Sequence, residues 1–239
     1  MRRVLVTGGG SGIGRAIARD FADAGCAVTI TGRRADALAE TDGGRGMACV
    51  TADVAVEAEV EALFDAPFDV VIANAGMGEA HKLVDTPLDV WTRTLNVNLT
   101  GTFLTFRAAL RGMPKGGRLI AIASTASLQG GANLSAYAAS KHGVLGLVRS
   151  AAHEVARQGI TCNAVCPGFV DTPMAETAVA NVMRHHGLDH AAAVAEITRD
   201  NPMRRMIAPQ EVVAAVRFLA SPEASMVNGH AMAVSGGEI

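Results

Sequence analysis

Tyr137 and Lys141 stand four residues apart in Tyr137-Ala138-Ala139-Ser140-Lys141. On a helix that spacing puts both side chains on one face, one turn apart. A phenol ordinarily keeps its proton until pH ~10. An ammonium group one turn away favours the phenolate and is expected to move that value toward neutrality. A phenol so tuned can give or take a proton at a carbonyl or alcohol oxygen at working pH. The pair alone fits a half-buried tyrosine beside a solvated lysine equally well, so the rest of the chain must decide.

Short β-branched runs alternate with longer helical patterns along the 239 residues. Strands are expected at Val4 to Thr7, Ala27 to Thr31, Met47 to Ala52, Phe68 to Ala73, Arg118 to Ala123, Ile160 to Val165 and His230 to Val234. Between them the pattern predicts helices from Ile13 to Ala24, near Ala35 to Glu40 and near Val56 to Asp65. A long helix runs from Pro87 to about Arg111, another carries Tyr137 and reaches about Arg157, and the last spans Gln210 to Ala220. A helical excursion from Met174 to Arg199 interrupts the alternation. Strict alternation implies an α/β fold: a doubly wound parallel sheet with helices on both faces and right-handed crossovers. No linker, composition shift or repeat divides the chain, so residues 1–239 read as one domain.

Thr7-Gly8-Gly9-Gly10-Ser11-Gly12-Ile13-Gly14 joins the first strand to the first helix. Glycines permit a tight turn and close approach of backbone to a phosphate. The helix N-terminus that follows offers free amides and a positive dipole end. The alternative is a plain flexible turn.

Thr7-Gly8-x-x-x-Gly12-x-Gly14, Asn74-Ala75-Gly76, Asn98, Ser124, Tyr137-x-x-x-Lys141 and Pro167-Gly168 occur together and in order. In this the chain resembles the short-chain dehydrogenases/reductases over essentially its full length. It departs from their usual pattern at Ala73, where an asparagine is frequent, and at Ala121-Ile122-Ala123-Ser124, where Asn-Ile-Ser-Ser is common. The resemblance implies a Rossmann-like sheet of about seven strands, with a nicotinamide cofactor across the carboxyl ends of the strands. It places Gly8, Ser11, Gly12, Ile13 and Gly14 at the pyrophosphate and Asn74, Ala75 and Gly76 beside the adenine ribose. Asp53, with Val54 next to it, would bond the adenine amino group; a helix N-cap is the other reading of Asp53. Pro167, Gly168, Val170 and Thr172 would sit against the nicotinamide, or form an ordinary Pro-Gly turn.

The choice of cofactor turns on the end of the second strand, where an acidic residue commonly bonds the ribose 2'-hydroxyl of NAD. By resemblance Gly32 takes that position, and Arg33 and Arg34 follow it. Guanidinium groups there suit a 2'-phosphate, or they cap a surface turn. NADP(H) is favoured and NAD(H) remains open.

The resemblance also gives Ser124 a hydrogen bond to the substrate oxygen and Tyr137 the proton. Lys141 would hold the nicotinamide ribose and lower the phenol pKa, and Asn98 would hold a water that links Lys141 to solvent. Ser124 as a strand-end cap and Asn98 as a buried polar contact are the structural alternatives. The excursion at about 174–206 is expected to form a substrate lid, with Met174, Met183 and Met203 as adaptable apolar contacts. Its His185, His186 and His190 lack carboxylate partners at metal-ligand spacing and read as solvated, so no metal is expected. The lid and Pro202-Met203-Arg204-Arg205 are similar to those of polyketide ketoreductases and acetoacetyl-CoA reductases. The expected activity is therefore NADPH-dependent reduction of a ketone, such as a 3-oxoacyl thioester. Alternatives are an NAD-dependent dehydrogenase of a secondary alcohol, sugar or hydroxysteroid, and an inactive cofactor-binding regulator.

A formal net charge of -2 and the lack of a basic tract argue against nucleic acid as a partner. Val4-Leu5-Val6 is too short for a signal core or a membrane span, so no membrane partner is expected. Cys26, Cys49, Cys162 and Cys166 lack zinc spacing and read as reduced, mostly buried thiols of a cytoplasmic protein. Relatives commonly assemble through the helices near 87–111 and 136–158 and through the C-terminus, which implies a homotetramer or homodimer.

Overall fold

The computed structural model describes Met1 through Ile239. Its framework is one seven-stranded, all-parallel sheet in the order β3-β2-β1-β4-β5-β6-β7. The strands are β1 (Arg3–Thr7), β2 (Ala27–Gly32), β3 (Ala48–Thr51), β4 (Val70–Ala73), β5 (Arg118–Ile122), β6 (Thr161–Pro167) and β7 (Ala231–Val234). The helices are α1 (Gly12–Asp23), α2 (Ala35–Asp42), α3 (Glu57–Glu61), α4 (Leu88–Leu95), α5 (Gly101–Leu110), α6 (Ser135–Val155), α7 (Pro173–His186), α8 (His190–Ile197) and α9 (Pro209–Ala220).

The continuous apolar runs of the inner strands follow from burial on both faces. Successive side chains of β1 go to opposite sides. Val4 and Val6 pack with Ile17 and Phe21 of α1 and with Val212, Val216 and Leu219 of α9. Leu5 packs on the other face with Phe106 of α5 and with Val144, Val148 and Val155 of α6. Each large side chain buried in this way contributes about 1.5–3 kcal/mol relative to exposure.

β1 pairs with β2 on one side and β4 on the other. The chain builds outward to β3, then returns to start the other half at β4, so the strand order reverses beside β1. That reversal opens a crevice at the carboxyl ends of β1 and β4.

Several expected boundaries shift. Met47, Ala52 and Phe68 fall outside their strands, and the segment after α3 tightens to a 3₁₀ turn at Ala62–Phe64. The long helix expected from Pro87 to Arg111 is interrupted by a π-helical turn, Asn96–Thr100. A turn of this kind widens the helix by one residue and is frequent at functional sites. The excursion is two helices, broken at Gly187, whose left-handed φ of 66° ends α7. The Asp189 carboxylate then caps α8 by accepting from the Ala192 amide at 2.8 Å. No helix is long and apolar enough to cross a membrane. Cys162 and Cys166 are buried, but Cys26 is only half-buried and Cys49 lies exposed on β3, the edge strand, which pairs on one side only.

Candidate active site

Thr7 at the end of β1 ties the crevice together. Its hydroxyl accepts from the backbone amides of Asn74 (3.0 Å) and Ala75 (3.1 Å). Asn74 returns the contact, its Nδ2 donating to the carbonyls of Thr7 (2.9 Å) and Gly8 (3.2 Å). The ends of β1 and β4 are thereby locked side by side. Two glycines make this closeness possible. A Cβ at Gly8, which has φ +65°, would stand 2.8 Å from the Ala75 Cα, and one at Gly14 would stand 2.3 Å from the Gly8 oxygen. The first turn of α1 contains no acidic residue, and the Ser11 side chain does not cap it. Its amides are therefore left to an outside anion.

One cleft runs from this loop along the strand ends. Its walls include Gly8, Ser11, Gly12 and Ile13, then Arg33, Asp53, Val54, Asn74, Ala75 and Gly76, and at the far end Tyr137, Lys141, Thr172 and Met174. Most of these residues end a strand or begin the turn that follows one. The expected positions that stay off the walls are Gly14, Arg34, Asn98, Ser124, Pro167, Gly168 and Val170. Gly14 is turned inward against the loop, Arg34 is the N-cap of α2, and Val170 is buried beneath Thr172. Gly32, Ala52, Met77, Val97, Ile122, Ala123 and Pro173 also line the cleft. Ile122 and Ala123 could have been found from their place at the carboxyl end of β5, but Val97 depends on the unforeseen π turn.

At one end of the cleft, Gly32 leaves space where a carboxylate would otherwise stand, and Arg33 beside it is exposed. Asp53 is not the N-cap of α3, a position held by Val56. Its carboxylate accepts from the Ala55 amide at 2.9 Å and shapes the turn before that helix.

At the other end, Ser124 closes the turn after β5. Its Oγ accepts from the Ala126 amide at 3.1 Å, and its own amide donates to the Ser127 Oγ at 3.2 Å. Ser124 therefore caps this turn, and its hydroxyl proton remains to donate. Lys141 is buried, with Nζ donating to the Ile122 carbonyl at 2.8 Å and lying 5.7 Å from the centre of the Tyr137 ring. Asn98 sits in the π turn. Its Oδ1 accepts from the Met77 amide (2.8 Å), while Nδ2 donates to the Met77 carbonyl (2.8 Å) and to the Ser140 Oγ (2.9 Å). These bonds set the chain at Gly78, where a Cβ would come within 3.0 Å of the Tyr137 ring.

The electrostatics correct one expectation. The Tyr137 phenol is raised, not lowered: burial dominates, and the hydrogen bond with Ser124 offsets only part of it. The Lys141 ammonium is itself lowered to about 8, mainly by burial, with nearby Cys166 acting in the opposite sense. Spacing placed the two groups correctly, but desolvation decides the sign.

The histidines of the excursion bind locally, His185 to the Asn181 carbonyl at 2.8 Å and His190 to Glu176 at 3.3 Å.

The profile of the family described as Enoyl-(Acyl carrier protein) reductase matches residues 8–238. The chain is 37% identical to 3-oxoacyl-(acyl-carrier-protein) reductase FabG of Vibrio harveyi, covering 98% of this chain and 95% of that protein. It is 33% identical to D-beta-hydroxybutyrate dehydrogenase of Rhizobium meliloti, covering 99% and 98%. Among solved structures, that of a single-residue variant of actinorhodin polyketide ketoreductase with NADPH superposes with a TM-score of 0.93 at 34% identity, covering 99% of this chain and 97% of the other.

Two outcomes follow from this geometry. Thr7→Val leaves the half-buried Asn74 and Ala75 amides without their partner, and denaturant unfolding should show a loss of about 1–3 kcal/mol. Lys141 binds fewer protons in the folded protein (value about 8) than in the unfolded chain (10.5). Folding stability therefore rises with pH across that window. Measured against Lys141→Met, wild-type stability should gain up to about 3 kcal/mol between pH 8 and 10.5, and should show no such gain below pH 7.

Proposed function

The chain belongs to the short-chain dehydrogenase/reductase family, and from that membership we propose that it is an NADPH-dependent carbonyl reductase forming a secondary alcohol. The observation that carries this reading is a cleft that begins at an uncapped helix N-terminus and ends at Tyr137 beside the buried Lys141, whose Nζ lies 5.7 Å from the phenol ring centre. The residues present fit a dinucleotide. Unclaimed α1 amides and the Gly8–Gly14 cradle suit the pyrophosphate, Asp53 and Val54 the adenine, and Asn74 to Gly76 the ribose beside it. Gly32 and Arg33 suit a 2'-phosphate, since no carboxylate opposes it there. Arg34 beside Arg33, and Pro167, Gly168 and the Val170 backbone before Thr172, complete the cofactor site in this reading. When bound, the nicotinamide supplies the hydride.

In the reducing direction, negative charge develops on the carbonyl oxygen as the hydride arrives. Ser124 and Tyr137 are two donors placed in advance for that charge. Tyr137 then gives up its proton. Lys141 holds the nicotinamide ribose and is the adjacent proton reservoir, and the π turn carrying Asn98 holds the wall behind it. Met174 meets the substrate, and α7–α8 (with Met203) act as the lid over a single domain. The similarity to FabG and to the polyketide ketoreductase supports a 3-oxoacyl thioester as substrate. The similarity to a hydroxybutyrate dehydrogenase supports the reverse reaction with NAD as the second reading. An inactive regulator would have no use for Tyr137 and Lys141 side by side at the cleft end. Exposed Leu83, Val84 and Leu88 beside α4, and Phe218 and Met226 near β7, suit a homotetramer or homodimer. Free thiols suit the cytoplasm.

Titration of cofactor fluorescence should give at least about tenfold tighter binding of NADPH than of NADH, or ~1.4 kcal/mol. Gly32→Asp should reverse the order, and tighter NADH binding by the wild type would refute the role given to Arg33. Tyr137→Phe should lower kcat by about 10²–10⁴-fold with little change in NADPH affinity, the scale of a lost general acid. Retention of full turnover would sink the mechanism.

A further inference from the structure

Three glycines in a row, Gly8-Gly9-Gly10, have no side chains with which to hold a shape. Each is held instead by a partner from a different element. The Gly8 carbonyl accepts from the Asn74 Nδ2 at 3.2 Å, just beyond β4. The Gly9 amide donates to the Thr31 carbonyl of β2 at 3.0 Å. The Gly10 carbonyl accepts from the Arg15 Nη2 at 2.8 Å.

Arg15 does not stop at the loop. Its Nη1 and Nη2 donate to the two carboxylate oxygens of Glu40 in α2 at 2.7 and 2.9 Å, and its Nε donates to the Thr41 Oγ1 at 3.1 Å. The guanidinium holds the Glu40 carboxyl below its ordinary value, by hydrogen bond first and by charge second. Gly10 itself lies so close to α2 that a Cβ would stand 3.1 Å from the Ala37 Cβ. Arg19, one turn further along α1, also reaches α2, but it donates to the Thr41 and Glu40 carbonyls and leaves the loop alone. A planar fork with fixed donor directions suits a group that must hold two neighbours at a set spacing. Arg15 borders the groove between α1 and α9 rather than the cleft, so any effect on a ligand passes through what it holds.

What it holds are the two anion subsites of the reading above. The loop and the α1 amides suit the pyrophosphate, while Gly32 and Arg33, which lead directly into α2, suit the 2'-phosphate. Building on that reading, we propose that Arg15 is a positioning residue for cofactor choice: by clamping Gly10 to α2 it fixes the span between the two subsites. A ligand that uses both subsites gains from that span only while both can be engaged at once. NADPH is such a ligand, and NADH, without the 2'-phosphate, uses one of the two.

The test titrates the full chain with NADPH and with NADH, following cofactor fluorescence. Arg15→Met should cut the NADPH-over-NADH affinity ratio by about fivefold or more. Both cofactors carry the pyrophosphate, so a lost positive charge near the loop weakens them alike and the ratio isolates the span. Arg15→Lys keeps the charge without the fork and should also lower the ratio, which covers a failure of Arg15→Met to fold. In an Arg33→Ala background, Arg15→Met should leave the ratio within about twofold, because the coupled partner is gone. Arg19→Met loosens α2 without freeing Gly10 and should keep the wild-type ratio within about twofold. Adenosine 2'-phosphate, which reaches the α2 subsite without the pyrophosphate, should bind wild type and Arg15→Met within about twofold of each other. An unchanged ratio in folded Arg15→Met or Arg15→Lys overturns the proposal, as does an equal fall in Arg19→Met or an equal loss of adenosine 2'-phosphate. Tighter binding of NADH than of NADPH by the wild type overturns the NADPH reading and this proposal with it.

Discussion

The site depends on a buried ammonium. Lys141 reaches from α6 to the last carbonyl of β5, and that single bond fixes how the helix sits across the strand ends. Everything one turn earlier on the helix follows, because Tyr137 has no freedom to move once α6 is placed. Ser140 adds a second tie: its hydroxyl donates to the Tyr137 carbonyl at 2.7 Å and accepts from Asn98. The π turn that carries Asn98 is thereby joined to the same helix. Burying a charge is costly unless hydrogen bonds replace water, and here one carbonyl replaces only part of it. The lowered proton affinity of Lys141 measures that deficit, of the kind expected where function sets the position of a side chain against stability.

The other end of the cleft is built by a different constraint, which is the absence of side chains. The strands β1 and β4 approach closely enough for Asn74 to reach over the glycine loop, and the loop can be that tight only where Cβ atoms are missing. The α1 amides then face outward with no competing acid. Rigid backbone positions one end of the ligand, and a rigid helix positions the other. Both rest on the two apolar layers that clamp β1, with Val4 and Val6 on one face and Leu5 on the other. An error of about 1 Å in either would be felt at the reacting atoms, which is why the site sits at strand ends rather than on free loops.

Most of this was legible in the sequence. Parallel strands buried on both faces write themselves as apolar runs, and the glycines, the Asn-Ala-Gly turn and the Tyr-x-x-x-Lys spacing survive as local signals. What escaped depends on contacts between distant segments. Nothing in Asn96-Val97-Asn98-Leu99-Thr100 announces a π turn, since its cause is the fit of α4 and α5 against neighbours such as Met77 and Ser140. Val97 lines the cleft only because that turn presents it. The sign of the Tyr137 shift escaped for the same reason: four-residue spacing gives proximity, but burial is a property of the whole fold.

That sign bears on the direction of the reaction. A phenol acting as base toward an alcohol is helped by a lowered proton affinity, whereas a phenol acting as acid toward a developing alkoxide must arrive protonated. Burial holds Tyr137 in the protonated form through the neutral range. Lys141, lowered to about 8, stays mostly charged at pH 7 and can return a proton to the phenol after each transfer. The two shifts work together: the acid is loaded and its neighbour can reload it. The dehydrogenase direction would need the phenolate in an environment that desolvation makes hostile to it. In the proposed reductase, the phenol thus stands already in the form that donates to a carbonyl oxygen.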